Sequence, residues 1–293
     1  MVKLKKPIKL IELFAGYGSQ AMALRNIGAK FEHHLISEWE TNVTKSYRQV
    51  HYPDIPENTD YSKRFNFEQL VERLTKLGIS TDGKNPMTED KIRRKGETWC
   101  RDTFNDFVIT KNVGSISNIK GSDLMINDTD NYDYILVYTY PCQDLSIAGK
   151  GKGMAKGSGT RSGLLWEVER LLTETPNLPQ VLLMENVPQV HSKKNLPDFE
   201  KWIEFLESMG YKNFYQDLNA KDYGVAQNRN RTFMFSFLQS EFGDDIQYTF
   251  PKPIPLDKVM KDYLEDEVDE KYFINTQKAK ELIDKLIVNG DLP

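Results

Sequence analysis

The segment that decides the fold is Ile8–Ala21, which reads IKLIELFAGYGSQA. Its first half is apolar and suited to a buried strand, which we predict over Ile8–Phe14. Its second half is a G-x-G-x-x-A turn built on Gly16 and Gly18, and we predict a helix over Ser19–Ile27 directly after it. Small residues in such a turn let a ligand approach the backbone at the carboxyl edge of a sheet.

The alternation of strand and helix continues along the chain and is typical of a parallel sheet with helices on both faces. Further predicted strands cover residues 31–37, 134–138, 181–184, 214–218 and 232–238. Further predicted helices cover residues 41–49, 163–172 and 198–209.

Two regions depart from this alternation. Residues 52–118 are charged and weakly periodic, and we interpret them as an insertion with helices near 66–77 and 88–98. A connector rich in proline follows Phe250 and leads into short, acidic helical pieces. We therefore predict a catalytic and cofactor-binding domain over residues 1–255, and a connector that begins another region over 256–293.

Composition indicates an ordinary globular protein. The chain has 293 residues, of which 28% are charged and 39% hydrophobic, and only two are cysteines. This cysteine count argues against a disulfide framework. Neither a signal peptide nor a membrane span is evident, so we predict a cytoplasmic protein with no membrane partner. We also predict no metal site.

The net charge of −4 argues mildly against a protein that binds nucleic acid, but the charge is unevenly distributed. Residues 257–291 carry ten acidic and six basic side chains, which leaves the remainder of the chain neutral. Residues 149–161 carry four positive charges and no negative one. This basic loop is either a solvated loop or a surface that follows a phosphate backbone.

The first turn predicts a nucleotide-type ligand. Glu38 ends the second predicted strand, where a carboxylate can accept hydrogen bonds from ribose hydroxyls. Trp39 offers an aromatic face to an adenine or a cation, although it can equally be a core residue. The turn alone does not distinguish a dinucleotide from S-adenosylmethionine, which has no phosphate.

A thiol and a carboxylate follow two other predicted strands. Cys142 follows the strand at 134–138, and Glu185 follows the strand at 181–184. Side chains at the ends of neighbouring strands of one sheet can form a single active site, with Cys142 as the nucleophile. The alternative for Cys142 is a cysteine that packs as a small hydrophobic residue.

Taken in order, these motifs resemble the DNA cytosine-5 methyltransferases of bacteria and phages. The resemblance covers about residues 8–255 and rests on the glycine turn, Ser37-Glu38-Trp39, Gly121-Ser122-Asp123-Leu124, Pro141-Cys142-Gln143, Glu185-Asn186-Val187 and an arginine motif at 227–231. It implies the Rossmann-like fold of methyltransferases that use S-adenosylmethionine, with an α/β architecture and a mixed, mostly parallel sheet.

The resemblance also implies the role of each site residue. Cys142 would attack cytosine, with Glu185, Arg229 and Arg231 completing the catalytic group. The cofactor would contact Phe14, Ala15, Gly16, Gly18, Glu38, Trp39, Asp123 and Pro141, with Asp123 next to adenine. Double-stranded DNA, with the target base flipped out, would contact Gln143, Ser146, Lys150, Lys152, Arg161 and Gln227.

Three alternatives have different consequences. Family members continue into a target-recognition domain and final motifs that are not visible here, so the chain is alternatively a catalytically incomplete fragment, or one subunit of a split enzyme whose second polypeptide carries them. Methylation of RNA by the same chemistry is a second alternative. A nicotinamide-dependent dehydrogenase fits the glycine turn but leaves Cys142, Glu185 and the arginines without a role.

Overall fold

The computed structural model describes residues 3–56, 58–145 and 152–291. They form two compact units. The first comprises Met1–Asn219 and Arg229–Lys252, and the second comprises Ala220–Asn228 and Pro253–Pro293. Among the described residues, no helix has both the length and the apolar character needed to cross a bilayer.

A six-stranded sheet forms the centre of the first unit as the structure describes it. Its strands are β1 (Ile8–Leu13), β2 (Phe31–Ser37), β3 (Asp133–Tyr138), β4 (Val181–Asn186), β5 (Tyr211–Asn219) and β6 (Asn230–Leu238). They lie in the order β2-β1-β3-β4-β6-β5, and β6 is antiparallel to both of its neighbours. The other adjacent pairs are parallel. The predicted mixed, mostly parallel sheet is therefore confirmed.

Nine α-helices are present in the described parts of the chain. They are α1 (Ser19–Asn26), α2 (Thr41–His51), α3 (Phe67–Leu77), α4 (Glu89–Arg94), α5 (Glu97–Ile109), α6 (Leu165–Glu174), α7 (Leu196–Ser208), α8 (Gln239–Phe242) and α9 (Gln277–Val288). The strands and helices predicted around the sheet are found within a few residues of their expected ends.

Alternation along β3 explains why helices cover both faces of the sheet. Every residue of this strand is buried. Tyr134, Leu136 and Tyr138 belong to the core that also contains residues of α6 and α7. Ile135 and Val137 point the other way, into a core shared with α1. A strand that buries both faces lies in the middle of its sheet, and β3 occupies such a position.

The insertion forms a small helical layer with a core of its own. Side chains of α3, α4 and α5 supply most of its buried residues, among them Leu70, Ile92 and Cys100. The single helix predicted over 88–98 was wrong, because Gly96 adopts a φ of 85° and separates α4 from α5. Only glycine takes this conformation readily, so the break is encoded at that position.

The described residues of the second unit contain three short 3₁₀ turns, followed by α9. The turns are Ala220–Asp222, Met260–Tyr263 and Glu270–Tyr272. Its residues from Pro253 onward are almost all exposed. They include large apolar side chains such as Met260, Leu264 and Ile274.

Candidate active site

The site lies where the strand order reverses. β2 is on one side of β1 and β3 is on the other, and in an open parallel sheet this arrangement leaves a crevice at the carboxyl ends of the strands. Thr139, which follows β3, donates from Oγ1 to the carbonyl of Phe14, which follows β1, at 3.0 Å. The loops after the two strands are thus joined at the mouth of the crevice.

The predicted glycine turn has the backbone that a close ligand contact requires. Phe14, Gly16 and Gly18 have φ values of 57°, 56° and 80°. A Cβ atom added to Gly18 would lie 2.2 Å from Nε2 of His51, so this glycine is needed for packing. A Cβ added to Gly16 would meet nothing within 4 Å, so space remains beside that residue. Ala15 fixes the turn to β2 by donating its N–H to the Ser37 carbonyl at 3.2 Å.

Glu38 lies directly against this turn. Its Oε2 accepts a hydrogen bond from the Gly16 N–H at 3.1 Å, and its Oε1 accepts one from the Glu40 N–H at 2.9 Å. Burial raises the pKa of the Glu38 carboxyl group above its ordinary value. Trp39 is half-buried and accepts a bond from the Ser80 N–H at its carbonyl. The glycine turn and Glu38, which are separated in the sequence, are therefore in contact in the structure.

Asn112 is a residue of this region that the sequence does not reveal. Its Oδ1 accepts from the N–H groups of Glu38 at 3.1 Å and Gly114 at 2.9 Å. Its Nδ2 donates to the Glu38 carbonyl at 2.8 Å. A buried amide that satisfies the backbone on both sides of Glu38 holds this acid in position. A lone asparagine at the end of an insertion carries no sequence signal for this role.

Asp123 lies in the 3₁₀ turn Gly121–Leu124. Its Oδ2 accepts from the Lys120 N–H at 2.8 Å, and its 3₁₀ turn is held by a bond from the Gly121 N–H to Glu174 at the end of α6. Because α6 leads into the beginning of β4, this contact lies toward the amino edge of the sheet. The contact of Asp123 with adenine stays a prediction.

Cys142 lies in the loop after β3, half-buried against the main core. Pro141 precedes it, and the carbonyl of Tyr140 accepts a 3.0 Å bond from Nδ2 of Asn186, the last residue of β4. This bond joins the Cys142 loop to the end of the strand that carries Glu185. Cys100 is fully buried in the insertion.

Glu185 forms ion pairs with both predicted arginines. Its Oε1 lies 3.0 Å from Nε of Arg231 and 3.7 Å from Nη2 of Arg229. The side chains of Glu185 and Arg231 are about four-fifths buried, whereas Arg229 is half exposed. Desolvation raises the pKa of Glu185 above its ordinary value, and the two arginines oppose that shift.

The residues predicted to contact DNA are distributed more widely. Gln143 and Lys152 are exposed, and Arg161 is half-buried and donates its N–H to Asp144. Gln227 is exposed in the second unit. Ser146 and Lys150 lie outside the described residues.

Comparison with known proteins identifies the family. The family model of the C-5 cytosine-specific DNA methylases matches residues 75–289. The orphan methyltransferase M.SssI of Spiroplasma monobiae is 37% identical over 92% of this chain and 68% of its own. The type II methyltransferase M2.ScrFI of Lactococcus lactis subsp. cremoris is 33% identical over 94% of this chain and 72% of its own.

A solved structure supports the same fold. The Entamoeba histolytica methyltransferase EhMeth superposes with a TM-score of 0.55 at 17% identity, over 92% of this chain and 63% of its own. The chain therefore spans less than two thirds of that protein. The family predicted from the ordered motifs is confirmed: this chain belongs to the C-5 cytosine-specific DNA methylases.

Proposed function

We propose that this chain transfers a methyl group from S-adenosylmethionine to C5 of cytosine in duplex DNA. The observation that carries the proposal is the group at the end of β4: Glu185, paired with Arg231 and Arg229, on a strand bonded through Asn186 to the Cys142 loop. A nucleophile and a buried acid on adjacent loops are what this reaction requires.

S-adenosylmethionine fits the residues at the glycine turn. The open space beside Gly16 admits a ligand close to the backbone, and Glu38 has lone pairs left for ribose hydroxyls. The turn begins a helix without a cluster of basic side chains, which suits a nucleoside that lacks a phosphate better than a dinucleotide. The cofactor supplies the methyl group as a sulfonium, and Phe14, Ala15, Gly18, Trp39 and Pro141 complete the proposed contacts.

The proposed reaction proceeds through a covalent bond between protein and base. The thiolate of Cys142 adds to C6, and Glu185 stabilises the ring by a hydrogen bond to N3. The electron pair that reaches C5 takes the methyl group, and the donor sulfur leaves as a neutral thioether. Loss of the proton from C5 to a base and cleavage of the bond from sulfur to C6 restore the aromatic ring and release the Cys142 thiolate.

The partially desolvated position of Glu185 supports its part in this scheme. A carboxyl group that must donate to N3 needs a pKa above that of an exposed glutamate, and burial moves it in that direction. Arg231 and Arg229 limit the shift and fix the carboxylate in space. C5 and C6 are not accessible in a stacked base, so the cytosine must leave the helix. Gln143, Lys152, Arg161 and Gln227 are the proposed DNA contacts among the described residues.

A transfer assay with a chemical trap tests the proposal. The purified chain is incubated with S-adenosylmethionine labelled on the methyl group and with duplexes that carry cytosine, 5-methylcytosine or 5-fluorocytosine. We expect label on the cytosine duplex and none on the 5-methylcytosine duplex. With 5-fluorocytosine we expect a denaturation-resistant protein–DNA complex that also carries the label, because C5 then holds fluorine in place of the proton that must leave. Label on transfer RNA in place of DNA would instead favour the RNA alternative.

We further propose that a second polypeptide completes recognition of the duplex. The support is the acidic charge of residues 257–291 together with exposed apolar side chains in the same unit, including Met260, Leu264 and Ile274. The assay is therefore repeated with the part of M.SssI that the match does not cover. An increase in transfer on its addition supports a split enzyme, and full activity without it contradicts this proposal.

We also propose that the chain acts in restriction–modification. The matching family model is that of DNA methylases, and one relative is named a type II methyltransferase and another an orphan methyltransferase. DNA from cells that express the chain should resist cleavage by a restriction enzyme that recognises the same site as the chain and is blocked by cytosine methylation there.

A further inference from the structure

A pair of side chains on either side of the basic loop holds the backbone around Cys142. The first is Ser162, whose hydroxyl group is completely buried and donates to the carbonyl of Pro141 at 2.7 Å. This carbonyl belongs to the residue immediately before the thiol. Ser162 begins the 3₁₀ turn Ser162–Leu164 that leads into α6. The hydroxyl therefore ties the residue before Cys142 to the beginning of α6, which packs one face into the main core.

Asp144 makes the complementary contacts from the other side of the thiol. Its Oδ2 accepts from the N–H groups of Arg161 at 2.7 Å and Ser162 at 3.3 Å. Its own N–H donates to Oγ of Ser162 at 3.3 Å. Hydrogen bonds to a carboxylate are stronger than those between neutral groups, and a negative charge suits the start of a helix, where N–H groups lack partners.

The remaining contacts leave the backbone of Cys142 little freedom. Its carbonyl accepts from the Leu145 N–H at 3.0 Å, and the carbonyl of Asp144 accepts from the Gly153 N–H at 2.9 Å. The residue before the thiol and the residue two positions after it are thus both bonded to Ser162. Neither the Asp144 carboxylate nor the Ser162 hydroxyl is needed for the chemical steps, so both contacts act on the position of the nucleophile.

We infer that Asp144 and Ser162 are positioning residues, which orient the thiol of Cys142 toward the cytosine ring. The inference rests on the proposed function, because it assigns their purpose to that reaction. Small errors in placement are costly in catalysis, since a displacement of about 1 Å at a reacting atom can reduce the rate about 100-fold. The bonds among Asp144, Ser162 and the Pro141 carbonyl form a clasp that fixes the loop backbone on both sides of Cys142 and so prevents such displacement.

Kinetics and thiol reactivity together test the inference. The variants are Asp144→Asn, Asp144→Ala and Ser162→Ala, with Thr173→Ala as the control, because Thr173 also bonds a backbone carbonyl through its hydroxyl but lies on the exposed face of α6. For each variant, we measure kcat, KM for DNA and the Kd for S-adenosylmethionine. We also measure the rate at which iodoacetamide alkylates Cys142. Mass spectrometry of the peptide that contains Cys142 distinguishes it from Cys100, so Cys100 need not be replaced.

We expect Asp144→Ala and Ser162→Ala to lower kcat by roughly tenfold or more, with the cofactor Kd within about twofold of the wild-type value and an altered alkylation rate. The double variant should lose little beyond the worse single one, because both changes break the same clasp. A fall in melting temperature with unchanged kcat and alkylation would overturn the inference and leave a purely structural role.

The experiment still tests the inference if one variant does not fold or if the wild-type chain is inactive. If Ser162→Ala does not fold, Asp144→Asn decides, since it preserves volume and weakens only the charge-assisted bonds. If the wild-type chain transfers no methyl group, the proposed function fails, but the alkylation rates still show whether the clasp orients the thiol. Equal alkylation rates of Cys142 in all folded variants would then contradict the inference that Asp144 and Ser162 orient the thiol, whether or not the chain transfers a methyl group.

Discussion

Nε of Arg231 lies 3.0 Å from Oε1 of Glu185, across the antiparallel pairing of β6 with β4. The two residues are 46 positions apart in the chain, and the reversal of direction at β6 delivers the guanidinium to the carboxyl end of β4. Because both side chains are mostly buried, the attraction between them is screened less by water than at an exposed pair. The pair holds Glu185 at the edge of the sheet where the Cys142 loop also lies.

Replacing Glu185 with Gln should separate catalysis from cofactor binding. The amide keeps the size of the side chain but loses both its charge and its ability to transfer a proton to N3. We expect kcat to fall by about 100-fold or more, in the range found for general acids, with the Kd for S-adenosylmethionine within about twofold. Calorimetric titration and a transfer assay on the same preparation check this, and equal loss in both would contradict the division of roles.

Replacing Cys142 with Ser should abolish methyl transfer and leave cofactor binding nearly intact. A serine hydroxyl is a far weaker nucleophile than a thiolate at neutral pH. The matched control is Cys100→Ala, because Cys100 is buried in the insertion and its thiol only approaches the Ile92 carbonyl at 3.7 Å. The control should lose some thermal stability but retain kcat. Retained turnover in Cys142→Ser would refute the assignment of the nucleophile.

Replacing Glu38 with Ala should weaken S-adenosylmethionine binding by about 1.5–3 kcal/mol, the usual loss for hydrogen bonds to a charged group. The control is Glu32→Ala, because Glu32 lies on the same strand, β2, but toward its beginning and is exposed. Titration calorimetry of both variants measures the difference. An unchanged Kd in Glu38→Ala would mean that the cofactor does not use this carboxylate.

Replacing Lys152 with Ala should weaken DNA binding without changing sequence preference. A lysine that neutralises one phosphate contributes about 0.9 to the slope of log Kd against the logarithm of salt concentration. The slope of the variant should therefore be smaller by about one, as measured by fluorescence anisotropy at several salt concentrations. Lys201→Ala, an exposed lysine on α7, is the control. Identical slopes for Lys152→Ala and the wild-type chain would place the basic loop away from the duplex.

The sequence predicts the sheet and much of the site because local pattern determines them. Strand ends follow from alternation, and the side chains that follow parallel strands meet at one edge, as Gly16 and Glu38 do. Arg229 immediately precedes β6 and Arg231 lies in it, and residues two apart in an extended segment point to the same side. These features need no knowledge of distant contacts.

The remaining features depend on contacts between distant parts of the chain. Asn112 reaches Glu38 across 74 positions and bonds only to backbone and to Thr44, so no pattern in the sequence indicates it. Likewise, the burial of Glu12 depends on α1 and α2 packing over β1, which a strand pattern cannot reveal.

Glu12 should make the protein less stable as the pH rises. This carboxyl group is buried, accepts from the Tyr47 hydroxyl at 2.6 Å, and has its pKa raised to about 7 by desolvation. In the unfolded chain it ionises near its ordinary value of 4.5, so the folded state holds the proton more tightly between pH 4.5 and about 7. Stability is therefore lost across that window, and the full shift corresponds to about 3 kcal/mol.

Urea unfolding of the wild-type chain and Glu12→Gln from pH 5 to 8 measures this effect. The amide cannot ionise, so the difference in unfolding free energy between the two proteins should change by up to about 3 kcal/mol in favour of the variant as the pH rises. His33, which contacts the Tyr47 hydroxyl at 2.8 Å, has its pKa lowered to about 4 by burial and stays neutral throughout. Tyr47→Phe removes the hydrogen bond that lowers the Glu12 pKa, so it should extend the window above pH 7. A difference between wild type and Glu12→Gln that is independent of pH would mean that Glu12 is ionised in the folded protein at all these values.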